Sequence, residues 1–160
     1  MATQRFSVAL QQWVKITKIK LDTVIRKVSL DCFRAVIIRS PVDTGRFRAS
    51  WRVSLNTVDL AVHAPVVERV TEAQSIAPGE PPTADEMAYA NGTILKAKIS
   101  DTVLITNNLP YAIPLEHGHS KHARPGPTAI LGYSVSRIKA NIEADIRRIA
   151  GQSNPGTGGV

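Results

Sequence analysis

Cysteine is almost absent from this chain: Cys32 stands alone. No internal disulfide framework is possible, and a single thiol fits a reducing compartment. Neither proline nor glycine occurs between Met1 and Pro41, which removes the two residues that most readily interrupt a helix. No apolar run approaches the roughly 20 residues of a membrane span, and Met1–Arg5 leads into no continuous apolar signal-peptide core. Aromatic residues are scarce, with three Phe, three Tyr and two Trp, so few rings are available for stacking on bases. These absences predict a soluble protein made in the cytosol. Its 160 residues suit one domain that buries a core without disulfides or metals.

What is present is positive charge, unevenly placed. The formal net charge is +7. Residues 1–53 carry eleven basic and three acidic side chains, a net of +8. Residues 66–93 carry Glu68, Glu72, Glu80, Asp85 and Glu86 against Arg69, a net of −4, and residues 94–160 return to +4. Such poles can steer a nucleic acid, or let the basic end of one copy meet the acidic end of the next.

The organising stretch is Ser40-Pro41-Val42-Asp43-Thr44-Gly45-Arg46-Phe47-Arg48-Ala49-Ser50-Trp51. Before it, from Phe6 to about Ile38, Leu10, Val14, Leu21, Val24, Val28 and Ala35 recur at helical spacing and predict one long helix. Pro41 stops that helix. Asp43, Thr44 and Gly45 predict a turn. After the turn, Phe47, Ala49, Trp51, Val53 and Leu55 alternate with Arg46, Arg48, Ser50 and Arg52. This pattern predicts a strand over 46–56 with an arginine row on its outer face. Asp59–Ala64 predicts a second strand, paired with the first as an antiparallel hairpin.

Helical character returns at 66–72. Then Pro78-Gly79-Glu80-Pro81-Pro82 predicts a stiff, extended arm within a loop-rich insertion over 65–93. Thr83 and Glu86 have capping-box spacing and open a helix through Met87, Ala88, Ile94 and Leu95. Thr102–Thr106 is β-rich. The segment from Leu109 to Ser120 is irregular. Thr128 caps a last helix with Leu131, Val135, Ile138, Ile142 and Ile149 on one stripe, and 151–160 forms a flexible tail. The expected fold is a single α+β domain over 1–150. Its three- or four-stranded, mainly antiparallel sheet is packed by the long N-terminal helix and the C-terminal helix.

Catalytic and metal chemistry find little purchase. Glu116, His117, His119 and His122 are the densest set of potential ligands, yet no cysteine or second carboxylate accompanies them at zinc-site spacing. Ser120, His119 and Asp101 lack a nucleophile elbow. No phosphate-loop spacing surrounds Gly45. No cofactor and no catalysis are expected. Asn107, Asn108 and Glu116 are expected to hold irregular backbone through side-chain hydrogen bonds, with Tyr111 packed against the sheet.

Two motifs, taken in order, carry a resemblance. Pro41-Val42-Asp43-Thr44-Gly45, followed by Arg46-Phe47-Arg48-Ala49-Ser50, is similar to a turn of tailed-bacteriophage minor tail and tail-completion proteins. About sixty residues on, Asn107, Asn108, Pro110, Tyr111, Ala112, Glu116, Gly118 and Ser120 resemble that family's second segment. The chain departs from the family pattern after Ser120, where Lys121–Pro127 replaces a Gln-Ala-Pro-type stretch. The resemblance spans about 5–150 and implies a non-enzymatic structural protein of the virion neck, assembled in the host cytoplasm. Its copies would form a homo-oligomeric ring, six- or twelve-fold, between the head connector and the tail-terminator or tail-tube proteins, in possible contact with passing DNA and with no membrane. On this reading Pro78, Gly79, Glu80, Pro81, Pro82, Arg46, Arg48 and Arg52 are candidate subunit contacts. The alternative is a basic nucleic-acid-binding protein of phage or bacterial origin, for which the basic helix and the arginine row supply phosphate contacts.

Overall fold

A computed structural model of the chain describes residues 2–64 and 67–119, together with Ile130. Helix α1 runs Ala2–Arg39, as the absence of Pro and Gly predicts, and spans about 57 Å at 1.5 Å per residue. It ends where Ser40 turns its hydroxyl back to donate to the Val36 carbonyl (2.8 Å), directly before Pro41. Only its C-terminal third enters the core: Phe33, Val36 and Ile37 are fully buried. Toward the N-terminus the same helix exposes Trp13 (64%), Ile16 (52%) and Ile19 (56%). Val14 and Leu21, expected on the core stripe, are exposed as well.

After the turn the structure departs from expectation. Residues Arg46–Ala49 form a single helical turn, α2, and strand β1 covers only Arg52–Leu55. The alternation that predicted a strand from 46 coincides with helical i, i+4 spacing at Phe47 and Trp51. Their rings meet edge to face at 5.9 Å, a favourable geometry for aromatic pairs. Asp59–Ala64 takes up no regular structure, so the expected hairpin is absent. Instead β1 pairs antiparallel with β2, Val103–Thr106, with Arg52 opposite Thr106 and Leu55 opposite Val103.

Helices α3 (Val67–Gln74) and α4 (Ala84–Ile94) flank the proline-rich segment, and α5 (Ala112–Glu116) follows β2. The α+β expectation of three or four strands is therefore corrected. Among the described residues helices dominate and the one sheet has two antiparallel strands. The expected C-terminal helix, its Thr128 cap and the tail over 151–160 lie outside the described residues, except for helical Ile130. That side chain is buried in the core with Phe33, Ile37, Phe47, Trp51 and Ile94.

The proline-rich segment is a turn, where the sequence predicted an extended arm. Glu80 N–H donates to the Ala77 carbonyl at 3.2 Å, and Gly79 has φ +90°. Proline second and a positive-φ glycine third is the pattern of a type II β-turn. The predicted capping box at the start of α4 is present in full. Glu86 N–H donates to Thr83 Oγ1 (3.2 Å) and Thr83 N–H donates to Glu86 Oε2 (2.9 Å).

Candidate subunit interface

Two features stand out when the site is built from its residues: an arginine-locked turn, and apolar surface that the core does not reach. The lock begins with α2. Because 46–49 is helical, the arginines expected on one face point apart. Arg46 is exposed, Arg52 is half-buried and Arg48 is fully buried. The arginine row is thus not a single outer surface, and Arg48 is committed inside its own chain. Its Nε donates to Glu86 Oε1 and its Nη2 to Glu86 Oε2, both at 2.9 Å. Nη1 donates to the Glu80 carbonyl at 3.1 Å and Nη2 also reaches the Pro81 carbonyl at 2.9 Å. One guanidinium therefore ties α2 to the first turn of α4 and to the end of the proline turn. Bidentate pairing of this kind fixes geometry as well as charge.

Glu86 was legible as a capping residue. That it also neutralises Arg48, 38 positions away, was not, since nothing local links the two. The sequence equally gave no signal for Arg69, which lies 4.4 Å from the Tyr89 ring centroid with Arg52 at 5.9 Å from the same ring. Burial, and then the like charge of Arg52, hold the Arg69 guanidinium below its ordinary value. Tyr89 supplies the compensating π-face.

The two motif segments meet. Asn107 Nδ2 donates to the Phe47 carbonyl at 2.9 Å, across 60 residues, and the Tyr111 ring lies 6.3 Å from that of Phe47. Tyr111 thus packs against α2, with its phenol pushed up by partial burial. Asn108 Nδ2 donates to the carbonyls of Asp59 and Ala61 and ties down the 58–64 segment. Trp51 Nε1 donates to Ser40 Oγ at 2.7 Å. Pro41 is buried and Asp43 and Thr44 are exposed. Gly45 has φ +76°, and a Cβ there would fall 2.5 Å from Gln74 N and closer still to the Val70 carbonyl. Glycine is required there because the backbone of α3 lies against it. Glu116 is half-buried at the end of α5, and Gly118 follows with φ +87°. Ser120 lies outside the described residues.

The polar residues weighed for chemistry are dispersed. His63 pairs with Asp59 and His119 approaches the Pro114 carbonyl. Asp101 accepts from Asn56 Nδ2 and Lys98 N–H. Among the described residues no three His, Cys, Asp or Glu side chains are grouped to hold a metal ion, and no helix is long and apolar enough to cross a membrane. His122 lies outside the described residues.

What the surface does offer is apolar area. Beyond the α1 ridge, Leu60 (78%) and Ile113 (71%) are the most exposed large apolar side chains. Pro78, Glu80 and Pro81 are exposed on the turn that Arg48 anchors, while Gly79 and Pro82 are half-buried. No family model, curated protein or solved structure matches the chain.

Proposed function

We propose that the chain is a non-enzymatic structural subunit of a tailed bacteriophage, a ring-forming neck or tail-completion protein that joins head connector and tail. The observation that carries an assembly role is the exposed ridge of Trp13, Ile16 and Ile19 on α1. Most helical stability in proteins comes from tertiary packing of an apolar face, and several large apolar side chains exposed on one segment mark an interaction surface. The phage assignment rests on the two motifs. Their junction through Asn107 and Phe47 supports reading them as one fold-maintaining unit, with the subunit contacts elsewhere.

The test is the mass and shape of the purified full-length protein, by native mass spectrometry and negative-stain electron microscopy, and its presence in virions. Closed rings and co-purification with tails are the expected result. A monomer that binds duplex DNA with a steep salt dependence would overturn it in favour of the nucleic-acid reading, for which exposed Lys15 and Lys18 on α1 would supply phosphate contacts.

A further inference from the structure

We infer that the proline turn of one copy seats in the groove between α1 and α4 of the next. This inference rests on the assembly reading above and names one contact through which copies join, in addition to the α1 ridge. The groove has a volume of about 420 Å³ and is lined by apolar Leu30, Met87 and Leu95, by Thr23, and by three cations, Arg26, Lys27 and Arg34, against one carboxylate, Asp31, so its lining is basic on balance. Among the described residues Leu30 and Met87 pack partly against the core, whereas Leu95 is 52% exposed although its neighbour Ile94 is fully buried. Two of the three cations are already engaged. Arg26 donates to the Ala97 carbonyl at 2.7 Å and Lys27 to Asp31 at 2.7 Å. Arg34 is exposed.

The occupant follows from charge. A lining part apolar and basic on balance fits a small apolar segment that carries a carboxylate, and the turn Ala77-Pro78-Gly79-Glu80 is such a segment. Ala77, Pro78 and Glu80 are all exposed. The α1 ridge is a poorer fit, because Lys15 and Lys18 beside it have the same sign as the groove. Within the turn Arg48 holds only main-chain groups, the carbonyls of Glu80 and Pro81. The turn is therefore ordered before it meets a partner, which lowers the entropy lost on binding. Turn and groove are different patches of one chain, so the contact is heterologous. Such contacts propagate head to tail and close into a ring only when the rotation permits.

The experiment is a charge exchange in the full-length protein, read by sedimentation velocity and negative-stain microscopy. Glu80→Arg and Arg34→Glu, each alone, are expected to weaken association about tenfold or more, as for a close interfacial charge pair. The double exchange should restore it to within about threefold of wild type, the residue left by imperfect additivity of coupled sites. Circular dichroism should be unchanged throughout, since Arg48 uses none of the exchanged side chains. If the wild type assembles while both single variants assemble equally well, or if the double variant fails to recover, the turn–groove contact is wrong and the assembly reading stands. A wild type that stays monomeric overturns both.

Discussion

Replacing Arg48 by Met removes the guanidinium while roughly keeping the bulk of its stem. Glu86 Oε1 then loses its hydrogen bond from Arg48 Nε and Oε2 the one from Nη2, while Oε2 keeps the Thr83 N–H. Both side chains of the pair are essentially inaccessible, at 0% and 4%, so water cannot replace the lost donor. Breaking a buried pair on one side costs about 3–5 kcal/mol. The bonds to the Glu80 and Pro81 carbonyls are only part-buried, so water replaces them more readily than it replaces the donors to Glu86. Against a total stability of about 5–15 kcal/mol, a single substitution would remove about a fifth or more. At about 2–4 °C per kcal/mol for chains of this size, Tm should fall by about 6–20 °C. Urea denaturation followed by circular dichroism measures the difference directly. Glu86→Gln should cost a similar amount, although glutamine can still close the capping box, because Arg48 is then the buried charge without a partner. The double variant Arg48→Met, Glu86→Leu removes both charges and should recover most of the loss, short of the cap's contribution of about 1 kcal/mol. If Arg48→Met costs less than about 1 kcal/mol, the value of an exposed pair, the buried lock is not holding the turn.

Two glycines give opposite expectations. Gly45→Ala should destabilise by about 1–3 kcal/mol, because it combines positive φ with a backbone clash against α3, whereas Gly92→Ala should raise Tm slightly. Nothing lies within 4 Å of a Cβ at Gly92, and alanine in a helix interior gains up to about 1 kcal/mol. Asp59, whose carboxylate is held below its ordinary value first by the hydrogen bond from His63 and then by the Ala61 N–H, should titrate below the usual aspartate range by NMR. A carboxyl lowered in the folded state stabilises above its unfolded value and loses that contribution as pH falls through the folded one. The local contact of Asp59 with His63 and the Ala61 N–H should therefore weaken as pH falls through the folded value, and Asp59→Asn should abolish that step. Burial pushes the Cys32 thiol up, so it should react with an aromatic disulfide reagent at pH 8 well below the rate of free cysteine, and recover that rate in denaturant.

The long helix and the capping box were legible because their signals are local. Thirty-nine residues between Met1 and Pro41 without a breaker, and a Thr three positions before a Glu, each specify a backbone conformation on their own. The stretch 46–56 was misread for the same reason. Phe47, Ala49 and Trp51 satisfy a period of two, while Phe47 and Trp51 also satisfy i, i+4, and four residues cannot separate the periods. Burial of Arg48 decides for the helix, and that burial depends on Glu86, far along the chain. The Asp59–Ala64 alternation is present, but its apolar members Leu60 and Val62 face solvent. β1 has its ladder partner in β2 instead, a pairing that no adjacent turn could announce.

The register of that ladder bears on how the chain is made. Leu55 pairs with Val103, so β1 leaves the ribosome about fifty residues ahead of its partner. At about 5–20 residues per second, it waits about 3–10 s with its backbone donors unpaired. Four residues is a short edge, and Arg52 stands at its start. Shortness and charge are the devices that keep open strands from pairing with the wrong chain. In the same interval all of α1 has been made, and its backbone hydrogen bonds are local ones. The nascent chain thus carries the α1 sequence and a small unpaired strand until Val103–Thr106 arrives, and closing that loop is a long-range step of the kind that slows folding.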